Sequence, residues 1–238
     1  MGQVDDVIGR LLKKVQEGGL LPSVERIRYS PYSMAKALNA VEALGRTMNP
    51  KFVIDSDNKF AYTNMIKWVH GDDSMECIDP DTGKKTRGDT RKGIYLCGPT
   101  GTGKTWCLDI MAAYCMADEP SVFLGGKKER LRWKSVRCDK VCDDFMNEGE
   151  LRKYKSAPVI CFHDIGAEPQ EVLYMGTRTK PMKEIMEYRG DRTDVITLFT
   201  SNIPFRHQRF AAMYGDRCAS RLRGMCNYLE IKGNDRRK

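Results

Sequence analysis

The segment Gly98-Pro99-Thr100-Gly101-Thr102-Gly103-Lys104-Thr105 reads G-x-x-x-x-G-K-[ST] at every fixed position. Few features restrict a chain so tightly, because the motif works only where a strand ends and a helix begins. Residues 93–97 (Gly-Ile-Tyr-Leu-Cys) predict a short buried strand before it, and a helix is predicted over 104–116. The glycines let the backbone bend so that successive N–H groups face phosphate oxygens. The helix start adds unpaired N–H groups and the positive end of a dipole. Lys104 can reach the β- and γ-phosphates as a point charge, and the Thr105 hydroxyl can ligate Mg2+. Residues 98–105 and the following Trp106 are therefore the candidate nucleotide-binding set.

A P-loop ATPase also needs a carboxylate at the end of a neighbouring strand to hold Mg2+ through its water shell, and many have an adjacent acid to polarise water. Val159-Ile160-Cys161-Phe162-His163-Asp164 is the apolar run that ends in an acid at a suitable distance. The usual ending is Asp-Asp or Asp-Glu, whereas His163 stands first here, and magnesium prefers oxygen. Either Asp164 takes the metal role with no acid beside it, or it keeps the water-polarising place and the metal is held more weakly. Both readings predict slow hydrolysis. Glu168 is a further candidate acid, the alternative being a surface residue. The apolar run 195–199 leads into Thr200-Ser201-Asn202, which places Asn202 at a strand end where it can position the attacking water. Farther on, Arg217 and Arg221 are candidates to reach a neighbouring subunit's nucleotide, or else surface arginines of a basic tail.

The order of elements predicts an α/β fold. After the P-loop helix come a strand near 132–137, a helix near 139–146 and a strand at 158–163. A helix near 179–188, a strand at 194–200, a helix near 206–213 and a strand near 227–232 follow. Such alternation means a parallel sheet with crossover helices. Ahead of it, residues 4–16 carry apolar positions at helical spacing, ended by Gly18-Gly19 and followed by Leu20-Leu21-Pro22. A second helix is expected over 33–46 and a third over 60–70, with Asp57 or Asn58 as its cap, and 71–92 reads as an exposed excursion of hairpin type. Residues 1–50 are thus expected to be a helical, partner-binding region and 51–238 an ATPase domain.

Composition narrows the function classes. Hydrophobic residues make up 41% of the 238, enough for a core, which excludes a disordered chain. No apolar run of 18 residues exists, so no membrane span is expected, and the acids at Asp5 and Asp6 argue against a signal peptide. Nine cysteines without a C-x-x-C predict buried free thiols and a cytoplasmic setting. The net charge is +8, and residues 127–140 hold seven Lys/Arg against two acids, a clustering that favours a polyanion-facing surface. There Arg130, Arg132, Lys134 and Arg137 interleave with Trp133 and are candidate DNA contacts; a solvated strand face with one buried Trp is the other reading.

The sequence resembles the DnaC/IstB-like AAA+ ATPases, which include bacterial replicative-helicase loaders and transposase helpers. The resemblance spans about residues 50–238. It rests on Phe52-Val53-Ile54-Asp55 with Asn58, the P-loop, Asp164-Ile165-Gly166-Ala167-Glu168, Tyr188-Arg189 and Thr200-Ser201-Asn202. Tyr214-Gly215-Asp216-Arg217, Ser220-Arg221-Leu222 and Gly233-x-Asp235-Arg236 complete it. It implies a five-stranded parallel AAA+ sheet without a substantial C-terminal lid, ATP and Mg2+ as cofactors, and Asn202 as sensor 1. It also implies Arg221 as an arginine finger acting across a homo-oligomer interface, Arg217 in support, and Arg236 in a place like that of sensor 2. The implied partners are a replicative helicase or a transposase, and single-stranded DNA in a central channel. The implied activity is ATP-dependent helicase loading in DNA replication. Delivery of a transposase, or a DNA-binding switch with little hydrolysis, stands as the alternative.

Overall fold

The structure is a computed structural model and describes residues 2–17, 27–124 and 127–236. Helices α1 (Gly2–Glu17), α2 (Met34–Met48) and α3 (Lys59–Val69) come first, then a hairpin of β1 (Glu76–Ile78) and β2 (Lys85–Arg87). Strand β3 (Gly93–Cys97) leads through the P-loop into α4 (Lys104–Asp118), and β4 (Ser121–Leu124) and β5 (Lys127–Arg130) form a second hairpin. There follow β6 (Lys134–Arg137), α5 (Cys138–Glu148), α6 (Arg152–Lys155) and β7 (Val159–Ile165). A third hairpin, β8 (Val172–Tyr174) and β9 (Thr177–Thr179), precedes α7 (Pro181–Gly190). Strand β10 (Ile196–Ser201), α8 (Gln208–Tyr214), α9 (Asp216–Met225) and β11 (Cys226–Glu230) complete the chain.

The expected parallel sheet is present, with five strands in the order β11-β3-β10-β7-β6. Its central strands are apolar on both faces because helices cover both. Ile94, Leu96, Cys161, Leu198 and Leu229 face α2, α3 and α4. The alternate residues Tyr95, Phe162, Phe199 and Tyr228 face α5, α7, α8 and α9. Each such fully buried side chain contributes about 1.5–3 kcal/mol.

Helix α2 belongs to the first of these layers. Its Ala37, Val41 and Gly45 are buried, and a Cβ on Gly45 would lie 2.2 Å from the Phe52 ring, so the close approach needs glycine. The segment before it is fastened through His70, whose ring stacks on Tyr32 at 4.2 Å and bonds the Tyr114 hydroxyl at 2.8 Å. Helix α1 leaves Ile8, Leu11 and Leu12 half exposed or more. The predicted stop at Gly18-Gly19 and the connection Leu20-Leu21-Pro22 lie outside the described residues. No described helix is long and apolar enough to cross a membrane.

All nine cysteines are buried free thiols, and burial pushes the Cys107 thiol up to about 12. The expected hairpin over 71–92 is β1–β2. Two further hairpins and α9 were not foreseen. Helix α9 hides its stripe, because only Cys218 and Leu222, four residues apart, are buried in a highly charged segment.

Candidate functional site

The P-loop joins the C-terminal end of β3 to α4. Gly101 and Gly103 take φ of +78° and +93°, conformations that side chains resist. A Cβ on Gly101 would also lie 2.1 Å from the Asp235 carboxylate. Lys104 Nζ donates to the Pro99 carbonyl at 2.7 Å, and the Thr102 hydroxyl donates to the same oxygen at 2.9 Å. Around this loop lies a pocket of about 260 Å³. It is lined by Thr100, Gly101, Gly103, Lys104, Thr105 and Trp106 of the loop and helix start, and by Arg137, Asp164, Asn202 and Arg236. A smaller pocket of about 60 Å³ adjoins it, lined by Phe52, Val53, Asn58, Tyr62 and Ile231. Gly103, Trp106 and Arg236 border both pockets. The larger pocket, lined by the loop backbone with Lys104, Thr105, Asp164 and Asn202, has the lining that a phosphate tail needs.

The C-terminal segment closes one side. Ile231 N–H donates to the Cys97 carbonyl, and Arg236 N–H donates to the Gly101 carbonyl at 3.0 Å. The Arg236 guanidinium grips Asp55 with two bonds of 2.8 Å. These bonds hold the Asp55 carboxyl below its usual range, against desolvation. Asn58 is buried and occupied: its amide N–H donates to the Val53 carbonyl and its oxygen accepts from Asp55 N–H. It shapes the turn that presents Asp55 and borders the apolar pocket.

A bulge positions the acid at the end of β7. Phe162 pairs with Phe199 and Ile165 with Ser201, so His163 and Asp164 together oppose Thr200 alone. Such an extra residue re-aims side chains. Asp164 adopts φ +59°, a left-handed conformation uncommon outside glycine and costly by about 1–3 kcal/mol. Its N–H donates to the Thr200 hydroxyl at 2.9 Å. Asp164 thus borders the pocket, while His163 is buried elsewhere. The His163 ring lies 3.3 Å from Asp109 on α4 and 3.3 Å from the Thr200 hydroxyl. Asn202 reaches the P-loop from β10, its side-chain N–H donating to the Thr100 hydroxyl at 3.2 Å.

The other predicted residues lie farther off. Glu168 is buried; Gly166 N–H donates to one carboxylate oxygen at 2.8 Å and the Tyr214 hydroxyl donates to the other. Desolvation raises its pKa in spite of those bonds. Arg221 is held on its own chain by a bidentate contact with Asp191, where α7 ends, while Arg217 is exposed. Arg130, Arg132 and Lys134 are exposed, but Trp133 is buried with its ring centroid 6.1 Å from that of Trp68. Arg137, grouped with them by sequence, faces the phosphate-type pocket. Asp109, Thr200 and Asp55 were not singled out as site residues. Asp55 and Thr200 stood only inside motifs that carry the resemblance, and Asp109 one helical turn beyond Thr105.

Two oxygen donors, Thr105 and Asp164, border the pocket and fit a hard divalent cation such as Mg2+. His163, turned to Asp109, adds no ligand there.

No protein-family model and no curated protein matches the sequence. Among solved structures, the chain is similar to the DnaC helicase loader at 18% identity and a TM-score of 0.51, over 78% of this chain and 96% of that one. It is also similar to a candidate primosome component from Streptococcus pyogenes serotype M3, at 20% identity and a TM-score of 0.52, over 83% and 97%. The fold is that of the AAA+ P-loop NTPases.

Proposed function

We propose that the chain is an ATP-binding AAA+ protein that loads a replicative helicase onto DNA and hydrolyses ATP slowly. The observation that carries this reading is the single pocket bordered by Lys104, Thr105, Asp164 and Asn202 on a sheet shared with a helicase loader. Lys104 and the N–H groups at the start of α4 bind the phosphates. Thr105 and Asp164 hold Mg2+, which supplies further neutralising charge. Asn202 orients the attacking water, a role that suits its place between the P-loop and β10. Phosphoryl transfer asks mainly for positioning and charge stabilisation.

The fate of Arg221 follows from its tether. In the isolated subunit it is bound to Asp191, so its action on a neighbour's phosphate requires assembly to release it. Replacing Arg221 by Ala is expected to leave ATP affinity within about twofold and to cut assembly-stimulated hydrolysis about a hundredfold or more. Phosphate release measured across a range of protein concentrations checks this; unchanged stimulation removes the finger assignment.

Helix α1 offers Ile8, Leu11 and Leu12 to a partner. Capture of a replicative helicase by the full chain, lost in a Leu11→Asp/Leu12→Asp variant, tests the loader reading. Capture of a transposase instead would favour the helper role. A second reading, a nucleotide-dependent switch with little turnover, is favoured by the engagement of His163 with Asp109. It stands if ATP binds but no Mg2+-dependent phosphate release follows, with DNA and partner present.

A further inference from the structure

Arg137 is the last residue of β6, and the parallel register sets it beside His163 at the end of β7. Two acids hold its guanidinium. Nε and Nη2 fork onto Asp139, in the first turn of α5, at 3.1 and 2.9 Å. Nη1 lies 3.2 Å from Asp164 Oδ2. Its side chain is still 61% exposed, and it borders the same pocket as Lys104, Thr105 and Asn202. Where a two-acid strand end would carry a second carboxylate, His163 is buried and turned to Asp109 and Thr200. The pocket is thus bordered by Lys104, by Arg137 shared between Asp139 and Asp164, and by Arg236 paired with Asp55.

We infer that Arg137 is a phosphate-binding residue acting within its own subunit, which takes over part of the neutralising charge that a divalent cation supplies. The inference rests on the ATP-binding reading above. A guanidinium suits the task because it stays charged and Nη1 can reach a phosphate oxygen while Nε and Nη2 keep Asp139. The Asp139 fork fixes its base, so little side-chain freedom is lost when Nη1 exchanges Asp164 for a phosphate oxygen. That exchange also frees the Asp164 carboxylate for its own part. Nucleotide binding should consequently depend only weakly on Mg2+, and ATP should depend on Arg137 more than ADP does.

The test is calorimetric titration of ATP and ADP into the full chain, with Mg2+ and with EDTA, for the wild type, Arg137→Ala and Arg137→Lys. Arg137 is largely exposed, and matching melting temperatures confirm that the variants fold. Wild-type affinity for ATP should fall less than about fivefold in EDTA, whereas Arg137→Ala should lose about tenfold or more there and recover most of it with Mg2+. Arg137→Lys, which keeps the charge without the fork, should lie between. Equal losses in EDTA for wild type and Arg137→Ala would overturn the inference. So would tighter ATP binding by Arg137→Ala, which would show that the arginine merely blocks Asp164. Wild type that binds no nucleotide in either condition would overturn the ATP-binding reading itself, a result distinct from the other two.

Discussion

Lys104→Ala should lose about a hundredfold in ATP affinity, near 2.7 kcal/mol, while the protein stays folded. The ammonium is nearly buried in the P-loop, where a charge-assisted bond to phosphate replaces its bond to the Pro99 carbonyl. Alanine removes the charge at the centre of the phosphate site. Pro99 is not left bare by the change, since the Thr102 hydroxyl still donates to the same oxygen at 2.9 Å. Calorimetry with ATP and a thermal melt of the same sample check both halves. An affinity changed by less than about threefold would remove the P-loop as the nucleotide site.

Arg189→Met should cost about 3–5 kcal/mol of stability, through a different mechanism. Arg189 is fully buried, with no carboxylate bonded to it among the described residues. Its Nη1 donates to the carbonyls of Tyr154, Lys155 and Ala157 and its Nη2 to that of Ile196, while Nε donates to the Thr197 hydroxyl at 2.8 Å. Burial depresses its pKa to about 10, so it remains a cation at neutral pH. One side chain thus ties α6 and the approach to β7 to the start of β10. Methionine fills the volume but leaves four carbonyls without that donor. For a chain of this length the loss lowers the melting temperature by roughly 6–20 °C. Differential scanning calorimetry reads it; a drop below about 2 °C would show that water or neighbouring groups satisfy those carbonyls.

The contrast between these two residues shows what a linear chain discloses. The P-loop was legible because its chemistry is local: eight consecutive residues between a strand and a helix. The three inner strands were legible because burial on both faces leaves continuous apolar runs such as Ile94–Cys97 and Val159–Phe162. Arg189 stood out in the sequence as part of a motif, yet its task depends on carbonyls more than thirty residues away. Arg137 looked like one more base in a basic stretch. Its position in the pocket follows from the pairing of β6 with β7, which no local pattern announces. The same holds for Arg221 and Asp191, joined across thirty positions by the packing of α7 on α9. The β8–β9 hairpin escaped notice because its residues are mostly solvated, with Met175 at an exposed tip, and so carry no burial signal.

The clasp between Asp55 and Arg236 joins points 181 residues apart at the rim of the ligand cleft. Thermodynamic reciprocity then gives it a use beyond holding the fold. A ligand that favours the shut clasp is then held more tightly in the presence of any protein that grips either segment more firmly in that state. By the same factor, the filled cleft strengthens that protein's hold.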